Sequence, residues 1–287
     1  MFQALSPRLA RLGLAAASAL ALFGSSGYAG TVEAADRDWP ARVAASYKVA
    51  FNGFDIGSFS FEAEVQSGRY VLDGNAEISA LLGAFKWQGL SRASGAIAAQ
   101  GAEPTAYTFD FRSSSKAGAI KMAFKKGGVQ TVTSTPPSLP SDDIVPVEPR
   151  HLSGVLDPLS AVLALTRAGT GDPCRQRLPV FDGKQRFDLV MSPLGERPLV
   201  EKRPSGQPGM LTVCQMQYKP IAGYKRGPET EDLARTMKIE IALRPIPSAN
   251  LMVPHEIKIP TLVGSAVLSL DRIEIITSNS DQIAFAN

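Results

Sequence analysis

The chain is poor in the residues that most often carry chemistry. Its 287 residues include two cysteines, two histidines and two tryptophans, and aromatic residues make up 7%. A serine hydrolase needs a base beside its nucleophile, and only His151 and His255 could supply an imidazole. We find no G-x-S-x-G elbow, phosphate-binding loop or dinucleotide-binding glycine fingerprint. The sequence therefore predicts no cofactor, no metal site and no assignable catalytic residue.

The two histidines lie in settings that favour packing or hydrogen bonding. His151 follows Arg150 and precedes an apolar stretch, which indicates a surface or hydrogen-bonding residue. His255-Glu256 begins like a zinc-protease helix, but Ile259 stands where the second histidine is needed. An envelope hydrolase whose carboxylates meet only in space remains the alternative function, because such a pair leaves no local motif.

A strong charge of either sign is also missing. The chain has 30 basic and 27 acidic residues, a net charge of +3. Cleavage after Ala29 would remove Arg8 and Arg11 and no acidic residue, so the net charge would fall to +1. Nucleic-acid binding requires a concentrated basic surface, and we expect no nucleic-acid partner.

The N-terminus has the layout of a secretory signal peptide. Arg8 and Arg11 precede an apolar run at residues 12–23, and small residues follow. The run is shorter than the roughly 20 residues of a membrane span. We predict a signal peptide over residues 1–29, with cleavage after Ala29 or as late as Ala34. The mature protein is then periplasmic, without a transmembrane anchor.

Cys174 and Cys214 are the only cysteines. In an oxidising compartment an even pair indicates a disulfide, and we predict that these two are linked. Buried free thiols and a reactive pair are the alternatives.

The mature sequence has the alternation of half-buried antiparallel strands. Phe59, Phe61, Ala63 and Val65 share one face at period two, and Asn52-Gly53 is a hairpin signal. A proline-rich connection at 135–149 separates two halves of a single β-rich domain at 40–287. Residues 223–231, rich in glycine and charge, are predicted to form a loop.

One segment has the pattern of a helix, at 158–167. Asp157 can cap it, and Pro158 suits the first helical position. Leu159, Val162, Leu163 and Leu165 leave little polar face, so this helix must be buried. The fold class is mainly β, a long curved or spiralling antiparallel sheet, similar to a half-barrel, around one short buried helix.

Several short stretches, in this order, resemble an exported Gram-negative family of unknown function, of the DUF3108 type. They are Ile56-Gly57, Ser94-Gly95, Glu103-Pro104, Tyr107, Asp157-Pro158-Leu159-Ser160, Phe181-Asp182-Gly183-Lys184, Arg186-Phe187-Asp188, Cys214 and Pro220-Ile221-Ala222-Gly223. The resemblance covers the chain from about residue 40. It implies no catalytic residue. At the level of the fold, the pattern is also similar to spiral-sheet envelope-integrity proteins and to the half-barrel carriers of lipoproteins.

These observations favour a non-enzymatic envelope protein that binds a lipid, an acyl chain or a segment of a partner protein in an apolar concave surface. A purely structural assembly component is a further alternative. The residues expected to line the apolar groove are Phe59, Phe61, Phe109, Phe111, Met122, Leu159 and Leu163.

Overall fold

The computed structural model describes residues 39–80, 83–98, 101–137, 141–167, 172–199, 204–261 and 263–286. The predicted signal peptide and its cleavage sites lie outside the described residues.

The N-terminal half is a meander in which each strand pairs with the next along the chain. Its strands are β1 (Arg42–Phe51), β2 (Phe54–Gln66), β3 (Arg69–Ala80), β4 (Phe85–Ala98), β5 (Gly101–Ser113), β6 (Ala117–Lys125) and β7 (Gly128–Thr135). Asn52 and Gly53 turn the chain between β1 and β2 with φ angles of 49° and 85°. Two positive φ angles are what a tight hairpin turn requires, and asparagine and glycine tolerate them best.

The C-terminal half is a second meander. Its strands are β8 (Arg177–Phe181), β9 (Arg186–Pro198), β10 (Met210–Ala222), β11 (Lys238–Ile246), β12 (Leu251–Thr261), β13 (Gly264–Ile276) and β14 (Gln282–Ala286).

The two halves join where β1 pairs with β13, so that Val43 lies opposite Ile275 and Ala50 opposite Val267. This pairing makes one antiparallel sheet of fourteen strands, with β14 paired to β13 beside the main path. In the described residues, β7 and β8 end that path.

Cross-strand partners show which side chains share the inner face of the sheet. Phe61 lies opposite Gly74, Gly74 opposite Ser91, Ser91 opposite Phe109, and Phe109 opposite Ile120. Directly opposed residues point to the same side of an antiparallel pair. The apolar positions of five strands therefore form one continuous surface.

The helix α1 (Pro158–Thr166) covers this surface. Four of its buried residues form two pairs. The two members of each pair are four residues apart, the spacing at which side chains share one face of a helix. Leu159 and Leu163 belong to the larger core, shared by the first meander, β12 and β13. Ala161 and Leu165 pack in a second core, formed by the C-terminal strands. The helix therefore lies between the two halves, which explains why it has almost no polar face.

The sheet curves around α1. The helix contacts β3, β4 and β5 on one side and β8 and β12 on the other. The segment just before it links the two end strands, through bridges of Ser153 to Gly128 on β7 and Leu156 to Val180 on β8. The predicted fold class, a curved antiparallel sheet around a buried helix, is confirmed.

One local prediction is wrong. Residues 228–231, the end of the predicted loop, instead begin a second helix, α2 (Pro228–Thr236). Short 3₁₀ helices occupy Pro149–Leu152 and Pro247–Ala249. In the described part of the chain, no helix has the length and apolar character needed to cross a membrane.

The predicted disulfide between Cys174 and Cys214 is present. Cys174 precedes β8 and Cys214 lies on β10, so the bond ties the segment before β8 to β10. Both side chains are fully buried in the second core.

Candidate functional site

An apolar cavity lies between α1 and the sheet. Its volume is about 90 Å³, whereas one water molecule needs roughly 10–15 Å³. None of the described residues that line it is charged. A cavity with so few polar partners excludes water and favours an apolar ligand.

Four strands and the helix form its walls. Ala45 comes from β1, Ala63 from β2, Val253 from β12 and Ile273 from β13. The helix contributes Leu163, Val162, Leu165 and Thr166. The hydroxyl of Thr166 donates to the carbonyl of Leu163 at 2.9 Å, so a ligand need not satisfy it. The cavity thus lies where the two meanders join.

Trp39 is the most distinctive residue of the lining. Its side chain is 4% exposed. Its indole Nε1 is buried and has no hydrogen-bond partner among the described residues. Buried donors are almost always hydrogen-bonded in folded proteins. The structure therefore leaves one buried donor beside the cavity.

The residues predicted to line a groove separate into two groups. Phe59, Phe61 and Leu163 line the cavity. Leu159 and Met122 are buried in the larger core, and Phe109 packs against it half-buried. Phe111 stacks on Phe109, with ring centroids 5.9 Å apart.

Aromatic rings fill the inner face beyond the cavity. Trp87 lies 6.4 Å from Phe109, measured between ring centroids. A methyl group added at Gly89 would meet the Trp87 ring at 2.4 Å, and one at Gly118 would meet Phe111 at 2.6 Å. The rings occupy the space that these glycines leave.

A buried hydrogen-bonded group ties α1 to the sheet. The Ser160 hydroxyl donates to the Asp157 carboxylate at 2.5 Å, and the Ser160 backbone N–H donates to it at 3.0 Å. The Tyr70 hydroxyl lies 2.8 Å from the Ser160 hydroxyl. Asp157 and Ser160 are fully buried, and Tyr70 is 1% exposed. A serine beside a carboxylate suggests a nucleophile, but no histidine joins this group and solvent does not reach it. It caps and positions the helix.

Gly95 makes room for this group. A methyl group added there would lie 2.3 Å from the Tyr70 hydroxyl and 2.3 Å from the backbone oxygen of Glu103. Real contacts are never that short, so only glycine allows β4 to approach Tyr70.

Acidification should stabilise the wild type relative to Asp157→Asn. Burial raises the pKa of the Asp157 carboxyl, although the hydrogen bonds from Ser160 oppose this. A carboxyl group whose pKa is raised in the folded state stabilises the protein fully at pH values below its pKa in the unfolded chain. This stabilisation is lost as the pH rises through the raised pKa. Asparagine caps a helix as well as aspartate does. In urea unfolding, the difference in stability between the two proteins, wild type minus variant, should be larger at pH 4.5 than at pH 7. An identical difference at both pH values would refute this role for Asp157.

Neither His151 nor His255 lines the cavity. His151 lies in the 3₁₀ helix, where its Nδ1 accepts from the Glu148 backbone N–H at 3.1 Å. His255 lies on β12, in a strand rather than a helix. The described residues contain no group of three potential metal ligands.

The fold and the cavity define a class of protein: an antiparallel sheet wrapped around a central helix, with an apolar space beside that helix. Residues 46–271 match the model of the family described as a protein of unknown function (DUF3108). The match covers most of the chain, which therefore belongs to this family, as the sequence resemblance predicted. No curated protein and no solved structure matches the chain.

Proposed function

We propose that the chain is an exported, non-enzymatic protein of the periplasm that holds an acyl chain in the cavity beside α1. The observation that carries this proposal is the cavity itself, with about 90 Å³ of apolar space at the junction of the two meanders. Burial of apolar groups is favourable by about 0.8 kcal/mol for each methylene. A lipid tail or fatty chain gains most from such a space.

Two further observations support export. The sequence begins with a short basic stretch and an apolar run, as signal peptides do. The disulfide between Cys174 and Cys214 is of a kind that persists in oxidising compartments and is rare in the cytosol.

In the part of the chain that the structure describes, one buried group resembles catalytic machinery, and its geometry does not fit an enzyme. Ser160 and Asp157 are both fully buried and hydrogen-bonded to each other. A nucleophile must reach its substrate, and these two are already engaged in capping α1. Among the described residues, binding is the function that this site supports best.

Filling the cavity should abolish binding. Ala45 on β1 lines it, and leucine at this position would occupy the space meant for the ligand. We expect Ala45→Leu to lower the affinity for 1-decanol at least about tenfold, because losing two buried methylenes has that effect. The variant should keep or gain stability, as cavity-filling substitutions often do. Titration calorimetry measures the affinity, and thermal unfolding measures the stability.

Ala44→Leu is the matched control. Ala44 neighbours Ala45 on the same strand, but it points to the other face, opposite Glu62, and does not line the cavity. It should leave decanol binding unchanged. If Ala45→Leu does not fold, Ala63→Leu fills the same cavity from β2. Equal binding by wild type and a folded cavity-filled variant would refute the proposal.

A further inference from the structure

A depression rich in arginine lies beside the apolar cavity. Its volume is about 480 Å³, and its described lining includes Arg167, Arg175, Arg177 and one acidic residue, Asp172. The lining therefore carries an excess of positive charge. Anionic groups are the ligands that arginine side chains bind best.

The cavity and the depression lie next to each other. Trp39 lines both spaces. At the end of α1, Thr166 lines the cavity and the next residue, Arg167, lines the depression. Consecutive Cα atoms are about 3.8 Å apart. A molecule with its tail in the cavity can therefore place its polar end in the depression.

The three arginines differ in how far their charge is already neutralised. Arg175 pairs with Asp172 at 3.1 Å, and Arg177 pairs with Asp188. Arg167 forms no ion pair with any described residue, and its guanidinium lies 6.0 Å from the centre of the Trp39 ring. Arg167 is also half-buried, so water screens its charge less than that of its neighbours. It is the cation best placed to receive an anion.

Part of this charge has a structural role. The carbonyl groups at the end of a helix are partly negative, and a cation near them is stabilising. Arg167 follows the last residue of α1 and fits this role. A helix end does not, however, explain a buried indole donor at the same place.

The buried donor belongs to Trp39. Its indole Nε1 is buried and lacks a hydrogen-bond partner within the described residues. An indole N–H can only donate, so the missing partner must be an acceptor. Trp39, which carries this donor, and Arg167 lie together at the boundary between the cavity and the depression.

The geometry points to an anionic amphiphile as the ligand: an acyl or alkyl chain in the cavity, and a carboxylate or phosphate that accepts hydrogen bonds from Arg167 and Trp39. This inference rests on the proposed function and adds the head group to it. The same chemistry could come from a free fatty acid or from a phospholipid.

The test compares four ligands with the same ten-carbon chain, which are decanoate, decyl phosphate, 1-decanol and decyltrimethylammonium. Calorimetry with delipidated full-length protein measures each affinity. We expect one or both anions to bind at least about tenfold more tightly than decanol, because a charge-assisted hydrogen bond has that effect. The anion that binds more tightly shows whether the natural head group is a carboxylate, as in a fatty acid, or a phosphate, as in a phospholipid. Raising the NaCl concentration should weaken the anions but not decanol.

Two variants test the residues. Arg167→Gln should bring the affinity for the anions down about tenfold, towards that of decanol, and leave decanol unchanged. Trp39→Phe keeps an aromatic side chain, though a smaller one, but removes the donor, and it should weaken the binding of the anions about two- to tenfold. Arg112→Gln is the matched control, because Arg112 is an exposed arginine on β5 that lines a different depression.

The outcomes distinguish the two proposals. If decanol binds as tightly as the anions, or if decyltrimethylammonium binds best, the head-group assignment is wrong and the proposed function stands. An unchanged anion affinity in folded Arg167→Gln and Trp39→Phe also overturns the assignment. If none of the four ligands binds, the proposed function fails, and this inference fails with it.

Discussion

Truncation of Leu163 to alanine should lower the free energy of unfolding by about 2–5 kcal/mol. Leu163 is 2% exposed and belongs to the larger core. Its side chain also lines the cavity, so alanine would join new empty space to the existing 90 Å³. Both the lost contacts and the enlarged cavity are destabilising. Urea unfolding monitored by circular dichroism gives the difference.

A ligand should reverse part of this effect. The cavity enlarged in Leu163→Ala accepts more of an apolar chain, so 1-decanol should raise the stability of the variant at least as much as that of the wild type. Leu90→Ala is the control, since Leu90 is 49% exposed and lies on the outer face of β4. A change near zero for Leu163→Ala would show that α1 does not pack where the structure has it.

Loss of the disulfide should cost about 4 kcal/mol of stability, because the bond closes a loop across 40 positions and restricts the unfolded chain. The double variant Cys174→Ala/Cys214→Ala measures this effect without placing hydroxyl groups in an apolar core. Reduction of the wild type should bring its melting temperature close to that of the variant.

Alkylation provides the independent check on that bond. Neither cysteine should react when the protein is denatured without a reductant. Full alkylation of both thiols under these conditions would show that the bond is not formed in the protein as isolated.

Features set by neighbouring residues could be predicted from the sequence. Alternation at period two places Phe59 and Phe61 on the inner face, and the structure agrees because antiparallel strands keep this parity along their length. The hairpin at Asn52-Gly53 and the cap at Asp157 depend on a few adjacent residues. Such local signals can be recognised without knowing which distant parts of the chain come into contact.

The position of the cavity could not be predicted, because it depends on the pairing of β1 with β13. Leu268 on β13 is more than 200 positions from Val43 on β1, yet both line the same space. Ile273 alternates with polar residues as the predicted groove residues do, and Val253 lies in the apolar run Leu251-Met252-Val253. The neighbouring residues in the sequence do not indicate which apolar side chains face α1 and which pack against aromatic rings.

The second helix was missed for a different reason. The sequence of α2, PETEDLART, is short and strongly polar, so it has no apolar period to detect. Pro228 suits the first helical position and Arg235 suits the last turn, but the glycine before the proline favours a loop.

The stretches that carried the family resemblance turn out to serve packing. Gly95 makes room for Tyr70, and Asp157 and Ser160 cap α1. Gly57 approaches the backbone of β3, since a methyl group there would lie 1.9 Å from the carbonyl oxygen of Glu77. Their roles in close packing and helix capping explain why these residues indicate a fold and name no reaction.

Nuclear Overhauser contacts between bound 1-decanol and methyl-labelled protein test the cavity most directly. We predict contacts from the alkyl chain to the methyl groups of Leu163, Val253 and Ile273, which line the cavity from three different elements. Leu90 and Leu194 should show none, since they are 49% and 55% exposed. Saturable binding with contacts only to exposed methyl groups, or with none to the three cavity residues, would contradict an acyl-chain site beside α1.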